Sequence, residues 1–470
     1  MSEVISQLAE GPVTAGLDAG KGHTVVVLRD VRGEFPRPWK VRQPQDIALA
    51  TAHLVELSRH RPLVVALEPT GTYGDPFRQA LCDAGVAVHR VSPKATSDYA
   101  EVFDGVPSQH DGKDAAVIAE LAAIGKSQSW PMGSGEDRQL RHEVAWMDAQ
   151  QDILTQWLGR LEGLLARHYP ELTGLLDLSS ATLLRLLAEY GSPAKMREDP
   201  AAASKLSTWS NRLLKAEKIA AVLSSAESTT GVRMQAADSA HIQRCAQAAL
   251  EARQKRDMAR NVLERHALQD DHMRRVGEAI GMATACVLFM TVGNPRNYSS
   301  GWAYRKALGL NLKERSSGQH QGQLKITKRG PSIARRWLYL AALRMVQDVE
   351  VNPWYERKKN KDQQRGGKGV VAVMRKLALA IYAVANGATF DAGRLFPGRN
   401  MLDTGSTSAA PGALPPDPRN LSRRGQIRTG GNGEAGGNGF PPASRSDSAP
   451  GTALGSVSTG ALSSAQVKQA

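Results

Sequence analysis

An α/β N-terminal domain followed by helical regions and a low-complexity tail is the fold class this chain predicts, on three observations. Short apolar runs alternate with helix-like segments from Thr14 to about residue 130. Apolar residues then recur at helical spacing, with charges between them, through Arg138–His168, and a second long charged segment covers Ser239–Leu268. From Met401 to Ala470 the chain is rich in Gly, Ser, Pro and Ala with Phe440 as its only aromatic residue, too little apolar surface to offset ordering, so disorder is expected there.

Thr14–Asp18 and His23–Leu28 read as two strands joined by the turn Ala19-Gly20-Lys21-Gly22, hence a hairpin, with a third strand at Pro38–Arg42. Gln45–His60 is amphipathic and helical. Leu63–Leu67 is an uninterrupted apolar run, the mark of a strand buried on both faces at the centre of a sheet. Glu68 follows it, and Pro69 cannot continue a central ladder. The acid therefore projects from the carboxyl end of the strand, the edge where open α/β sheets bind ligands. A helix over Tyr73–Ala84, stopped by Gly85, and a strand over Val86–Val91, closed by Pro93, continue the alternation. A hairpin first and parallel crossovers after, in the order βββαβαβα, is RNase H-like rather than Rossmann-like.

The middle changes character. Arg138–His168 and Ser239–Leu268 read as long helices with shorter ones across Ala181–Glu227. The long pair has three readings: an antiparallel coiled coil, a dimer arm, or a plain linker packed on its own domain. A helix opens within Glu278–Ala285 and runs to about Val292, and another covers Ser332–Gln347. Lys306, Lys313, Arg315, Lys325, Lys328 and Arg329 crowd the Gly-rich stretch between them, and Lys358, Lys359, Lys361, Arg365 and Lys368 form a second basic run beside Trp354 and Tyr355. One such run is ordinarily a solvated face, but two in one domain of a basic chain point to nucleic acid. The expected divisions are an α/β domain over 12–130, a helical linker or coiled-coil arm over 135–270, a mainly α domain over 271–398 and the tail over 399–470.

The formal charge is +14, of which Met401–Ala470 contributes only +2, so the basic character belongs to the folded part and suits a phosphate-rich partner. No apolar run reaches spanning length, and Met1–Gly11 lacks the core of a signal peptide, so no membrane partner is expected and the protein should be cytoplasmic and nucleoid-associated. Cys82, Cys245 and Cys286 are scattered without a CxxC pair, which fits a reducing compartment and argues against structural zinc.

The chemistry concentrates in four acids. Asp18 ends the first strand, Glu68 ends a central one, and Asp111 and Asp114 open a helix at a spacing that puts them on one face. Singly, each has a plainer role: Glu68 as a salt-bridge partner, Asp111 and Asp114 as capping or dipole-matching acids. As a group they would repel unless cations neutralise them, and hard oxygen ligands suit Mg²⁺, a pair of which clamps phosphodiester chemistry. Lys113, Lys313, Arg315, Lys325, Lys328 and Arg329 are the candidate nucleic-acid contacts. Ser316 and Ser317 lie in the basic loop Lys313–His320, where a Ser-Gly pair is also an ordinary turn.

With these residues in view, the sequence resembles DEDD-type transposases of bacterial insertion sequences, which pair a RuvC-like domain with a C-terminal transposase domain bearing a serine. The first domain matches through Gly16-Leu17-Asp18, Ala66-Leu67-Glu68-Pro69-Thr70-Gly71-Thr72-Tyr73, Val91-Ser92-Pro93 and Asp111-Gly112-Lys113-Asp114-Ala115. The second matches through Gly281-Met282-Ala283-Thr284-Ala285, Ala307-Leu308-Gly309-Leu310, Ser317-Gly318 and Ile326-Thr327-Lys328-Arg329-Gly330. The likeness runs from about Ala15 to Phe396 and departs from the family pattern at Gln109-His110 and at Glu278-Ala279. It implies Mg²⁺ on Asp18, Glu68, Asp111 and Asp114, and Ser317 as a nucleophile with Ser316 as its neighbouring rival. It also implies DNA and a structured bridge RNA as partners, and a homo-oligomer, dimer or tetramer, in which the RuvC-like domain of one protomer meets the serine of another. Two other readings fit parts of the chain: a Mg²⁺-dependent structure-specific nuclease or junction resolvase, which needs no serine, and a non-catalytic nucleic-acid-binding remnant, against which the four intact acids argue.

Overall fold

β1 (Val13–Ala19) and β2 (His23–Arg29) form the expected hairpin in the computed structural model, which describes residues 8–69, 71–106, 110–314, 324–361 and 366–397. β3 (Trp39–Arg42) extends the hairpin, and β4 (Leu63–Leu67) adds to β1 in parallel. β5 (Ala87–Val91) is parallel to β4, and β6 (Ser127–Ser129), three polar residues with no apolar signal to announce them, pairs antiparallel at the edge. The order β3-β2-β1-β4-β5-β6 is the mixed RNase H-like sheet that the element order predicts.

Four helices cover this sheet: α1 (Ile47–His60), α2 (Asp75–Asp83), α3 (Pro93–Asp104) and α4 (Asp111–Ala123). Strand parity sorts them, because successive side chains point to opposite faces. Val13, Ala15 and Leu17 of β1 and Leu63, Val65 and Leu67 of β4 share a core with Leu54, Leu57, Phe77 and Leu81 of α1 and α2. The other face packs on α3 and α4, where Ala66 and Val91 meet Ala100, Val117, Ile118 and Leu121, and Val25 and Val27 meet Ala115 and Ala116. Gly16 belongs to that second face. A Cβ at Gly16 would stand 2.0 Å from the Ala115 carbonyl oxygen and 2.6 Å from the Ala119 nitrogen, so α4 lies directly on the β1 backbone.

α5 (Gly135–His168) leads to five short helices, α6 (Pro170–Leu175), α7 (Ala181–Tyr190), α8 (Pro193–Glu198), α9 (Ala202–Trp209) and α10 (Ala216–Glu227), and the chain returns along α11 (Ala236–Gln269). The two long helices are antiparallel: His266 pairs with Glu136 at 3.1 Å, Arg256 donates to Gln151 at 3.0 Å, and His168 bonds the Val232 carbonyl at 2.9 Å. Within the chain the pair folds back on itself. Each helix is about 50 Å long at ~1.5 Å per residue. At the far end Leu161, Leu165, Tyr169, Leu183, Leu187 and Ile242 build a core of their own, whereas Leu140, Val144, Met147 and Leu263 at the near end join the C-terminal core.

The helix expected to open within Glu278–Ala285 is two helices, α12 (Asp271–Ile280) and α13 (Met282–Thr291), because Gly281 at φ +98° breaks the run. α14 (Gly301–Ala307) follows, then a two-stranded ladder of β7 (Leu312–Lys313) and β8 (Lys325–Ile326), which two-residue strands do not signal in sequence. α15 (Ser332–Met345), α16 (Asn352–Lys361), α17 (Gly366–Ala385) and α18 (Ala392–Leu395) complete the region. Lys358, Lys359 and Lys361 thus lie on a helix rather than in a loop. The tail expectation for 399–470 falls outside the described residues. Among the described residues no helix is long and apolar enough to cross a membrane.

Two glycine classes should respond oppositely to alanine. Gly16→Ala is expected to cost about 3 kcal/mol or more, since the atoms it meets are backbone and cannot yield. Gly159→Ala and Gly163→Ala, in α5 with nothing within 4 Å, should each stabilise by roughly 0.5–1 kcal/mol. Denaturant unfolding of the three variants checks both signs.

Candidate active site at the carboxyl edge of the sheet

Parity and register deliver the acids to one place. Asp18 shares the α4 face of β1 with Gly16, and Glu68 continues the parity of Ala66 past the end of β4. Leu17 pairs with Leu67 in the parallel ladder, so the two acids leave adjacent strands at the same level. Asp111 and Asp114 occupy the first turn of α4, four residues and one residue ahead of the Ala115 contact with Gly16. Neither caps the helix: the His110 side chain does so, accepting from the Lys113 amide at 3.1 Å.

The electrostatics tie the four together. Burial first, and then the charges of Asp114, Asp111 and Glu68, push the Asp18 carboxyl from its ordinary 3.8 up to about 6, with His23 acting in the opposite sense. Glu68 is raised by burial and by Asp114, against a hydrogen bond from Thr96 that lowers it. Asp114 is raised by burial and by Asp111. Asp111, exposed, is held below the usual carboxylate range chiefly by its hydrogen bond with His23 Nε2 at 3.0 Å. Three acids that resist ionising and one held by a histidine describe a cluster of mutually repelling negative charge.

These side chains do not close on a common point. Among the described residues no three or more His, Cys, Asp or Glu groups stand near enough to hold a metal ion as they are. The reason is in the contacts: Asp111 is drawn to His23, and Glu68 accepts a hydrogen bond from the Thr96 hydroxyl of α3. The donor set is nonetheless all carboxylate oxygen, half-buried at Asp18, Glu68 and Asp114 and mutually repelling, which fits a hard divalent cation.

His23 and Thr96 are the two neighbours that sequence reading missed. His23 had a usable signal, since it has the parity of Val25 and Val27 on the α4 face. Thr96 had none, because α3 begins at Pro93, which reads from sequence only as the end of a strand. Lys113 needs correcting as a nucleic-acid contact: it is 4% exposed, and its ammonium group bonds Asp104 at 2.6 Å and the Val106 carbonyl. Burial and those partners make it a brace between α3 and α4.

The remaining candidates belong to the C-terminal ladder. Lys313 and Lys325 lie directly opposite each other in the β7–β8 register and are exposed, an arrangement that repels unless an anion sits between them. Lys328 and Arg329 are exposed on the loop that follows, with Lys328 in the left-handed region at φ +55°. That loop is clamped by glycines: a Cβ at Gly309 would stand 2.7 Å from the Arg329 nitrogen, and one at Gly330 would stand 2.2 Å from the Ala307 carbonyl. The Lys328 amide donates to Gly309 O at 2.9 Å. Arg315, Ser316 and Ser317 lie outside the described residues. In the Gly281 turn, Glu278 is neutralised by Arg274 at 3.0 Å, and Arg344 donates to the Ile280 carbonyl at 3.0 Å, so the acid that departs from the family pattern has a local counter-charge.

Comparison with known proteins bears on both regions. Residues 15–170 match a family described as a transposase of the DEDD type, and residues 278–358 match the one described as "Transposase IS116/IS110/IS902 family"; together they span half of the chain. Among solved structures, T. thermophilus RuvC in complex with Holliday junction substrate is similar at 20% identity and a TM-score of 0.21, over 25% of this chain and 99% of that one. No curated protein matches the chain.

The raised Asp18 carboxyl makes stability depend on pH. The folded protein holds this proton up to about pH 6 and the unfolded chain only to about 3.8, so the penalty is absent below 3.8, grows between the two values and is complete above 6. Asp18→Asn, without divalent cation, should therefore melt a few degrees above wild type at about pH 8 and close to it near pH 4. A pH-independent difference in differential scanning fluorimetry would remove the charge cluster as its cause.

Proposed function

We propose, for a chain that belongs to the IS116/IS110/IS902 transposase family and is thus a DNA cleavage and transfer enzyme, that it cuts and rejoins DNA with Asp18, Glu68, Asp111 and Asp114 as its metal-binding acids and Ser317 as its nucleophile. The observation that supports this most is the mutual electrostatic coupling of the four acids at the carboxyl edge of the sheet. DEDD nucleases typically use a divalent metal, and the oxygen donors here favour Mg²⁺. Bound there, the cation would supply charge neutralisation at the phosphodiester.

The protein's own groups have separate tasks. Thr96 fixes one Glu68 oxygen, leaving the other to turn inward, and His23 holds Asp111 until it is recruited. Asp18, raised first by burial and then by its acidic neighbours, ionises more readily once those neighbours are neutralised. On the C-terminal side Lys313 and Lys325 bracket the segment that contains Ser317 and offer two adjacent positive charges to a phosphate. In the proposed transfer the Ser317 oxygen bonds to phosphorus while one bridging phosphorus–oxygen bond breaks, and the proton of the hydroxyl passes to the departing deoxyribose oxygen. Reversal with a different strand rejoins DNA without loss of a phosphodiester bond. Arg315, Lys328 and Arg329 hold the flanking backbone. Guidance by a structured RNA and assembly as a dimer or tetramer belong to the same reading; the net charge of +14 supports nucleic acid of either kind.

Glu68→Gln and Asp111→Asn are expected to abolish Mg²⁺-dependent strand cleavage with unfolding temperature unchanged or higher. Ser317→Ala should remove protein–DNA adducts after denaturation, with Ser316→Ala milder. Mixing the Ser317→Ala and Glu68→Gln proteins should restore some activity if protomers share a site. Cleavage without any adduct in wild type would favour the nuclease reading instead.

A further inference from the structure

Among the described residues only three non-glycine positions have positive φ, and two are consecutive: Asn211 at 51° and Arg212 at 61°, in the turn between α9 and α10 at the far end of the long helical pair. The turn is held rather than loose. The amides of Asn211, Arg212 and Leu213 donate to the carbonyls of Thr208, Ser207 and Ser210 at 3.0, 2.8 and 3.0 Å. Buried Ser210 donates to Ser207 O at 2.9 Å, and the Trp209 carbonyl accepts from Thr182 and Arg185 of α7, each at 3.3 Å. What this bracing displays is Leu213, 84% exposed. Leucine on a surface is unremarkable alone. Here it lies among Arg212, Lys215 and Lys218, all exposed, with Glu217 as the one acid among them, and beside an open groove of about 490 Å³ floored by Leu175, Leu214 and Ala221.

We infer that this turn is a second DNA contact, in which Leu213 enters the minor groove as an apolar wedge while Arg212, Lys215 and Lys218 hold the phosphates on either side. An apolar side chain flanked by cations is the chemistry with which minor-groove proteins unstack a base step. Backbone strain retained in an exposed, fully hydrogen-bonded turn matches the way binding sites keep unfavourable conformations. The cationic rim selects a polyanion over an apolar protein surface. At the end of helices about 50 Å long, the turn reaches DNA flanking the reacting phosphate rather than that phosphate itself. The inference rests on the DNA-rejoining reading only for the identity of the ligand.

The test uses the full chain and duplex DNA carrying 2-aminopurine at successive positions. Wild type should brighten the probe at one step, and Leu213→Ala should lose that signal while binding weakens by no more than about tenfold. Lys215→Gln/Lys218→Gln should make the salt dependence of binding shallower by about two in log–log slope. Thermal unfolding should be the same in all three, because the altered side chains are exposed, and cleavage of a short duplex should persist, which separates this test from one of the acids. Wild-type binding with an unchanged slope and an unchanged probe signal in both variants would overturn the inference. So would a change of oligomeric state in Leu213→Ala with DNA binding unaltered, which would make the turn a protein-binding face.

Discussion

The flush packing of α4 on β1 at Gly16 is the contact on which the N-terminal site depends. Side chains ordinarily hold a helix and a sheet about 10 Å apart, but the missing Cβ lets the Ala115 and Ala119 turns meet the strand backbone itself. Every acid position follows from that approach. Asp111 lies one turn ahead of Ala115 and Asp114 immediately before it, and Asp18 lies two residues beyond Gly16 on the same face. The parallel register of β1 with β4 then sets Glu68 at the same height.

The cluster so formed is unfavourable on its own. Three of the four acids are driven toward their neutral forms by burial and by one another, with partial relief for Asp18 from His23, for Glu68 from Thr96 and for Asp114 from His110 and Lys113. The cost is borne by the apolar layers on both faces of the sheet, from Leu17 and Phe77 on one side to Ile118 and Leu121 on the other. Stability given up at a charged site and recovered in the core is the usual pattern where a fold serves chemistry.

A comparable division holds in the helical regions. The near ends of α5 and α11 belong to the C-terminal core through Leu140, Met147 and Leu263, and Arg336 of α15 ties Asp148 and Asp152 of α5 to it. Rigid packing there contrasts with strain at the surface. The positive-φ residues Asn211, Arg212 and Lys328 all sit in exposed loops with basic neighbours, each held by backbone hydrogen bonds. Among the described residues, positive φ at non-glycine positions occurs only in these exposed, basic loops.

The sequence by itself determined the RNase H-like order of the first five strands along the chain, the long helices and the four acids, because these rest on local signals: apolar periodicity, Pro and Gly stops, and the i, i+3 spacing of Asp111 and Asp114. It could not distinguish Lys113 from its basic companions, since exposure and burial of a lysine look alike in a string and only the proximity of Asp104 and Val106 settles it. Nor did it reveal β6, β7 or β8, whose two or three residues are too few to show a period. The antiparallel pairing of the long helices within the chain, the split at Gly281 and the partners His23 and Thr96 were decided by tertiary structure alone. Each depends on which surfaces meet across many residues of chain, and a linear pattern specifies the faces of an element but not what lies against them.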